Sequence, residues 1–211
     1  MELFTYYRST SSYRVRIALA LKGLDYQALP INLIAPAGGE HRQALYLGLN
    51  PQGRVPALRT DEGDLLIQSP AIIEYLEERY PHVPLLATDL AARAHERGVA
   101  ALIGCDVHPL HNVSVLNRLR QLGHDEQQVV EWIGHWISQG LGTVEQLIGD
   151  EGYCFGSQPG VADVYLIPQL YAAERFNISP QAWPRIRRVA ALAAAHPAFI
   201  KAHPANQPDT P

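Results

Sequence analysis

Residues 2–33 constrain the fold of this chain more than any other stretch. Residues 2–7 alternate apolar and polar side chains, the period of a short strand. Ser9-Thr10-Ser11-Ser12 then offers several helix caps ahead of the apolar run Val15, Ile17-Ala18-Leu19 and Leu21, and Gly23 supplies the stop. A second strand is expected over 26–33. Strand, helix and strand within about thirty residues make a βαβ unit, and a crossover of that length brings the second strand back parallel to the first.

The pattern continues in the same style as far as residue 80. Pro36 to Gly39 break the chain, a short helical stretch is expected over 40–47, and Asn50-Pro51-Gln52-Gly53 reads as a turn. Two short strands, 57–59 and 65–67, flank the hairpin signal Asp61-Glu62-Gly63-Asp64. Ser69-Pro70 reads as N-cap and first helical position, followed by the apolar stripe Ile72, Ile73, Tyr75 and Leu76. The order β-α-β-α-β-β-α fits an α/β, thioredoxin-like domain over residues 1–80. Residues 81–87 form a proline-bearing linker, and 88–211 read as an all-α helical domain. Its final residues, 203–211, carry three prolines and are expected to run extended over the surface.

Composition narrows the function classes. Hydrophobic residues make up 47% of the 211 and charged residues 18%, ordinary for a chain with a packed core. A net charge of -4 without a Lys/Arg stripe argues against a nucleic-acid partner. The apolar runs look too interrupted for a membrane helix of about 20 residues, and Met1-Glu2-Leu3-Phe4-Thr5-Tyr6 lacks the charged start of a signal peptide. Cys105 and Cys154 are far apart, with neither metal spacing nor a disulfide framework, so a reducing cytoplasm is the expected setting.

Three pieces of the first domain have the physics to hold a small anionic thiol peptide. The hydroxyl cluster of Ser9, Thr10, Ser11 and Ser12 opens a helix, where the dipole and free N–H groups favour a thiolate. Val55-Pro56 precedes a strand at a domain edge; a cis bond there would turn the Val55 N–H and C=O outward to pair with a peptide. Gln68-Ser69 opens the third helix, a place for a carboxylate. Taken singly, helix capping accounts for the first and third, and an ordinary X-Pro turn for the second.

The order Ser-x-Ser-Ser, Asn-Pro-x-Gly-x-Val-Pro and Gln-Ser-x-Ala-Ile-x-x-Tyr-Leu resembles the glutathione transferase superfamily. Residues 7–19, Pro30-Ile31-Asn32-Leu33, residues 68–78, Ala173-Glu174-Arg175-Phe176 and Gln207-Pro208-Asp209-Thr210-Pro211 resemble its zeta class, which contains maleylacetoacetate and maleylpyruvate isomerases. Two positions depart from the family pattern. Ser9-Thr10-Ser11 stands where the family often reads Ser-Ser-Cys, and Gly160 stands where Ser or Thr usually caps the helix of Asp163, leaving Asp163 as a folding element at the third helical position.

The resemblance implies a glutathione-dependent cis–trans isomerase of a maleyl dioxo acid, acting in the degradation of aromatic compounds. The thiolate adds to the cis double bond, the resulting enolate rotates, and expulsion of the thiolate leaves the trans product. Ser9, with Thr10 and Ser11, would hydrogen-bond the sulfur, Val55 would clamp the glutathione backbone, and Gln68 and Ser69 would take its γ-glutamyl end. Arg8 and Arg175 would bind the substrate carboxylates, since guanidinium forks match them bidentately; a surface ion pair is the plainer reading of each. Together they lean towards maleylpyruvate, although the family's maleylacetoacetate isomerases share them. A homodimer is the family expectation.

His108-Pro109-Leu110-His111-Asn112 stands where related sequences read Gln-Pro-Leu-Gln-Asn. His108 is carried with the glutathione-binding positions, at a pocket wall or an interface rim, and no third ligand suggests a metal. Arg14 and Arg16 read as surface residues, Cys105 and Cys154 as core, and Trp132 and Trp136 as one packing stripe. Two rival functions stay open. One is conjugation or dehalogenation of 2-halo acids by the same thiolate; the other is a non-catalytic glutathione-binding scaffold.

Overall fold

The computed structural model describes residues 1–211, apart from the side chain of Ala37. Two compact units emerge, Met1–Pro84 with Ala195–Pro211, and Leu85–Ala194.

The first unit runs β1 (Glu2–Thr5), α1 (Thr10–Leu21), β2 (Gln27–Pro30), α2 (Ala44–Leu49), β3 (Ala57–Arg59), β4 (Leu65–Ile67) and α3 (Ser69–Arg79). The sheet order is β2-β1-β3-β4. β1 pairs parallel with β2, as the βαβ reading requires, and antiparallel with β3, while β3 and β4 form the expected hairpin. Leu3 lies opposite Ala28 on one side and Leu58 on the other. Leu3, Leu58, Val15, Ile17, Leu19, Ile72 and Leu76 are all fully buried. Each such side chain contributes roughly 1.5–3 kcal/mol by leaving water, which holds α1 and α3 to the sheet.

The second unit contains α4 (Leu90–Ala101), a π-helical turn (Leu102–Val107), a 3-10 turn (His108–His111), α5 (Val113–Gln121), α6 (Glu126–Leu147), α7 (Val161–Arg175) and most of α8 (Pro184–Ala195). Asp125 and Gln128 form a reciprocal capping box at the start of α6, whose Val129, Ile133, Ile137, Leu141 and Val144 bury one stripe at helical spacing. At the start of α7 the Asp163 carboxylate accepts from the N–H of Gly160 at 2.8 Å and of Cys154 at 2.9 Å. Asp163 is therefore the folding element its position predicted. Burial raises its pKa, against the lowering effect of these backbone donors.

Several expectations need correction. Arg14 and Arg16 are 2% and 0% exposed rather than on the surface. Ser69 is the first residue of α3, and Gln68, at φ 72°, is the N-cap. Cys105 is exposed, while Cys154 is buried.

The tail 203–211 is not simply extended: it follows α9 (Pro197–Ala202), which packs on α1, and begins with a 3-10 turn (Pro204–Asn206). Gln207 is buried and donates to the carbonyls of Lys201 and His203. The sequence division kept residues 195–211 with the helical part; their packing groups them with the first unit.

The helical stretch Leu90–Gln121 contains an 18-residue window of mean hydropathy 1.3, which is long and apolar enough by length and composition alone to cross a membrane, where the sequence reading expected only interrupted runs. It is interrupted by the π turn and buries Glu96, whose carboxylate accepts from the Ala87 N–H at 2.8 Å. Val99, Ala100, Ile103 and Val107 are its buried side within this unit.

Candidate active site

The first unit assembles the glutathione-type features around three backbone turns. Ser9 caps α1, its Oγ accepting from the Ser12 N–H at 3.2 Å. Thr10 and Ser12 are buried behind it, while Arg8, Ser9 and Ser11 are half-buried. The N–H of Ser9 donates to the Tyr6 carbonyl at 3.0 Å, closing a turn that carries Arg8. Beneath it, burial raises the pKa of the Tyr6 phenol; Tyr7 and Asp209 act in the same direction, and Arg8 opposes.

The Val55-Pro56 bond is cis. Val55 packs with Phe4, Tyr6, Tyr46 and Ala57. The loop before it is held by contacts the sequence reading missed. The carbonyl of Arg54 accepts from Tyr46 Oη at 2.8 Å and from Asn50 Nδ2 at 2.7 Å. Asn50, 1% exposed, also accepts from the Gln52 N–H at 3.0 Å. Burial pushes the Tyr46 hydroxyl up to about 12, so it stays a donor across the physiological range. Gly53 has φ 60°, and a Cβ there would sit 3.0 Å from the His41 carbonyl. The only signal available in sequence was the Asn50-Pro51 turn, and it says nothing about the distant Tyr46.

Gln68 is exposed at the head of α3, and its Nε2 donates to Gln52 Oε1 at 2.6 Å. This links the third piece to the loop that carries Val55. Ser69 is 3% exposed in the first turn of the helix.

Within the second unit, His108 and Arg175 belong to one aromatic chain. The rings of His108 and His111 are 5.3 Å apart, those of His111 and Phe176 5.9 Å, and the Arg175 guanidinium lies 5.8 Å from the Phe176 ring. His111 is buried, with its Nε2 3.0 Å from Gln169 Nε2. Trp132 fixes the same turn by donating to the Leu110 carbonyl at 2.8 Å, and stacks edge-on with Trp136 at 5.6 Å. Arg175 is exposed in the last turn of α7. Among the described residues no group of three or more His, Cys, Asp or Glu is arranged to hold a metal ion.

A thioredoxin-like sheet unit joined to a helical unit, with capped helices and a cis-Pro loop in the first, defines a class, and sequence comparison agrees. The chain belongs to the glutathione S-transferase family: that family's N-terminal domain profile matches residues 3–85 and its C-terminal domain profile residues 137–198.

Among its relatives is a maleylacetoacetate isomerase of Pseudomonas aeruginosa, 77% identical over 211 residues, with 100% of this chain and 99% of the relative aligned. A maleylpyruvate isomerase of Ralstonia sp. is 44% identical with both chains fully covered. Among solved structures, a holo maleylpyruvate isomerase described as a bacterial zeta-class glutathione S-transferase superposes with a TM-score of 0.94 at 44% identity, covering 100% of both chains. A maleylacetoacetate isomerase from Anaeromyxobacter dehalogenans with glutathione bound in its active site gives 0.90 at 40% identity, covering 100% of this chain and 97% of the other.

Proposed function

We propose that this chain is a glutathione-dependent cis–trans isomerase of a maleyl dioxo acid, maleylacetoacetate or maleylpyruvate. The observation that carries the reading is the 77% identity to a maleylacetoacetate isomerase across the whole chain. That relative makes maleylacetoacetate the first substrate to try, against the lean towards maleylpyruvate from the two arginines.

The first unit fits glutathione on its own geometry. The Arg54 carbonyl is taken internally by Tyr46 and Asn50, which holds the Val55 backbone as a fixed edge for an extended peptide. Gln68 and Ser69 sit at the positive end of α3, suited to the γ-glutamyl carboxylate. Glutathione, when bound, supplies the sulfur nucleophile whose reversible addition to the double bond permits rotation.

Ser9, at the cap of α1, is the residue we assign to keep that thiol ionised, with Thr10 and Ser11 beside it. A hydroxyl donor and the helix dipole both favour the anion. Arg8 and Arg175 are assigned to the substrate carboxylates, and Arg8 also to the charge that develops on the dioxo unit. His108 is assigned to the glutathione side of the helical unit. We further propose that the enzyme works in the cytoplasm as a homodimer, as the family resemblance suggests.

The purified protein, mixed with each maleyl acid with and without glutathione, should convert it to the fumaryl isomer only when glutathione is present, as followed by ultraviolet absorbance. Arg8→Ala should lower kcat/KM at least about tenfold, the cost of one charge-assisted contact. Turnover of neither acid, with glutathione still bound, would sink the isomerase reading in favour of conjugation or dehalogenation.

A further inference from the structure

The turn that presents Arg8 and Ser9 is gripped from the C-terminal end of the chain. Arg16, on α1, is fully buried beneath it. Its Nη2 donates to the Tyr7 carbonyl at 2.9 Å, and its Nη1 to the Tyr6 carbonyl at 3.3 Å and to Thr5 Oγ1 at 3.1 Å. Its Nε donates to the Ala202 carbonyl at 3.0 Å, so one guanidinium ties the turn to α9. From the other side, Asp209 Oδ2 accepts from the Tyr7 N–H at 2.8 Å. Both polar groups of the Tyr7 backbone are thus held by charged side chains, a type of bond about twice as strong as a neutral one. Tyr7 immediately precedes Arg8.

We propose that Asp209, working with Arg16, is a positioning residue for the reaction: it sets the orientation of the Tyr7-Arg8-Ser9 turn, so the tail is a working part of the thiol and carboxylate site. The proposal rests on the functional reading above. A tail needed only for stability would be indifferent to which backbone group it holds. Here the contact falls on the residue next to Arg8 and two before Ser9, where a displacement of about 1 Å can cost up to about a hundredfold in rate.

The test compares Asp209→Ala and Asp209→Asn with Thr210→Ala in the full chain. Thr210 Oγ1 donates to the Pro204 carbonyl at 2.5 Å, so its loss removes a bond internal to the tail and none to the Tyr7 backbone. Asp209→Ala should lower kcat for the maleyl acid about tenfold or more and raise the pKa of the bound glutathione thiol, read by the absorbance of the thiolate. Asp209→Asn, which keeps an acceptor oxygen, should recover most of both, and Thr210→Ala should leave both unchanged.

Asp209→Ala with unchanged kcat and unchanged thiol ionisation would overturn the proposal, as would equal effects from Thr210→Ala. Should the unaltered protein bind glutathione but isomerise no maleyl acid, the functional reading falls, and thiol ionisation alone decides the positioning role. Failure to bind glutathione at all would overturn both.

Discussion

Lys22 and Glu77 form a buried ion pair: Lys22 Nζ lies 2.7 Å from Glu77 Oε2, with side chains 1% and 8% exposed. Lys22 is the C-cap of α1, where a cation suits the helix dipole. Its ammonium also donates to the carbonyls of Tyr80 at 3.0 Å and Val83 at 2.8 Å. One residue therefore joins the ends of α1 and α3 to the segment that leads out of the first unit.

Removing one partner of such a pair strands a buried charge. Glu77→Ala should lower unfolding stability by about 3–5 kcal/mol. The double change Lys22→Met/Glu77→Leu should recover part of it, leaving a deficit of about 1–3 kcal/mol for the two carbonyls that lose their donor. Denaturant midpoints of the three proteins check the order.

Asp163 should give the protein a pH-dependent stability of unusual sign. Its raised pKa means that the folded state holds the proton more tightly than the unfolded one. Its contribution is then largest below the ordinary aspartate range and declines as pH rises from that range through the folded value. Asp163→Asn should remove that slope. It should also cost about 1–3 kcal/mol, because an amide offers one acceptor oxygen to the two N–H donors of Gly160 and Cys154. Thermal unfolding at a series of pH values measures both effects.

The clamp on Arg54 predicts a graded loss of glutathione affinity. Tyr46→Phe removes one of two bonds to that carbonyl and should weaken binding about threefold. Asn50→Ala removes the other and the bond from Gln52, and should weaken it about tenfold or more. Titration calorimetry with glutathione distinguishes this from equal effects, which would mean that the loop conformation does not depend on Asn50.

At Gly140, α6 comes close to the π turn, since a Cβ there would lie 2.1 Å from Val107 Cγ2. Gly140→Ala should destabilise the protein by about 1–3 kcal/mol despite the better helix propensity of alanine. Adding Val107→Ala should relieve the clash and recover part of the loss. Unfolding midpoints of the single and double variants test it.

Local chemistry made much of the first unit legible. The hairpin signal around Gly63 placed β3 and β4 at their observed limits, and the serine cluster offered several caps for α1, of which the structure uses Ser9. What was misread depended on groups distant in sequence. Arg16 looks like a solvated helix residue until the carbonyls of Tyr6, Tyr7 and Ala202 surround it. Ser69 looked like a cap because Ser-Pro usually begins a helix one residue later, and no pattern announced that Gln68 would take a positive φ. The three prolines after His203 suggested an extended tail, but the acceptors for Gln207 and Thr210 lie a few residues back in the same segment and fold it.

The packing of α9 and the tail against the first unit has a consequence for how the protein is made. In the order of translation, α1 emerges early with its arginine, whereas Ala202 and Asp209 are separated from it by the entire helical unit. A nascent chain stalled anywhere in between has the guanidinium and its acceptors on Thr5, Tyr6 and Tyr7, but not the Ala202 carbonyl or the Asp209 carboxylate. On the proposed role of Asp209, the Arg8 turn is finished last, and a ribosome-bound intermediate can contain every strand of the sheet and still lack the bonds that hold that turn from the tail.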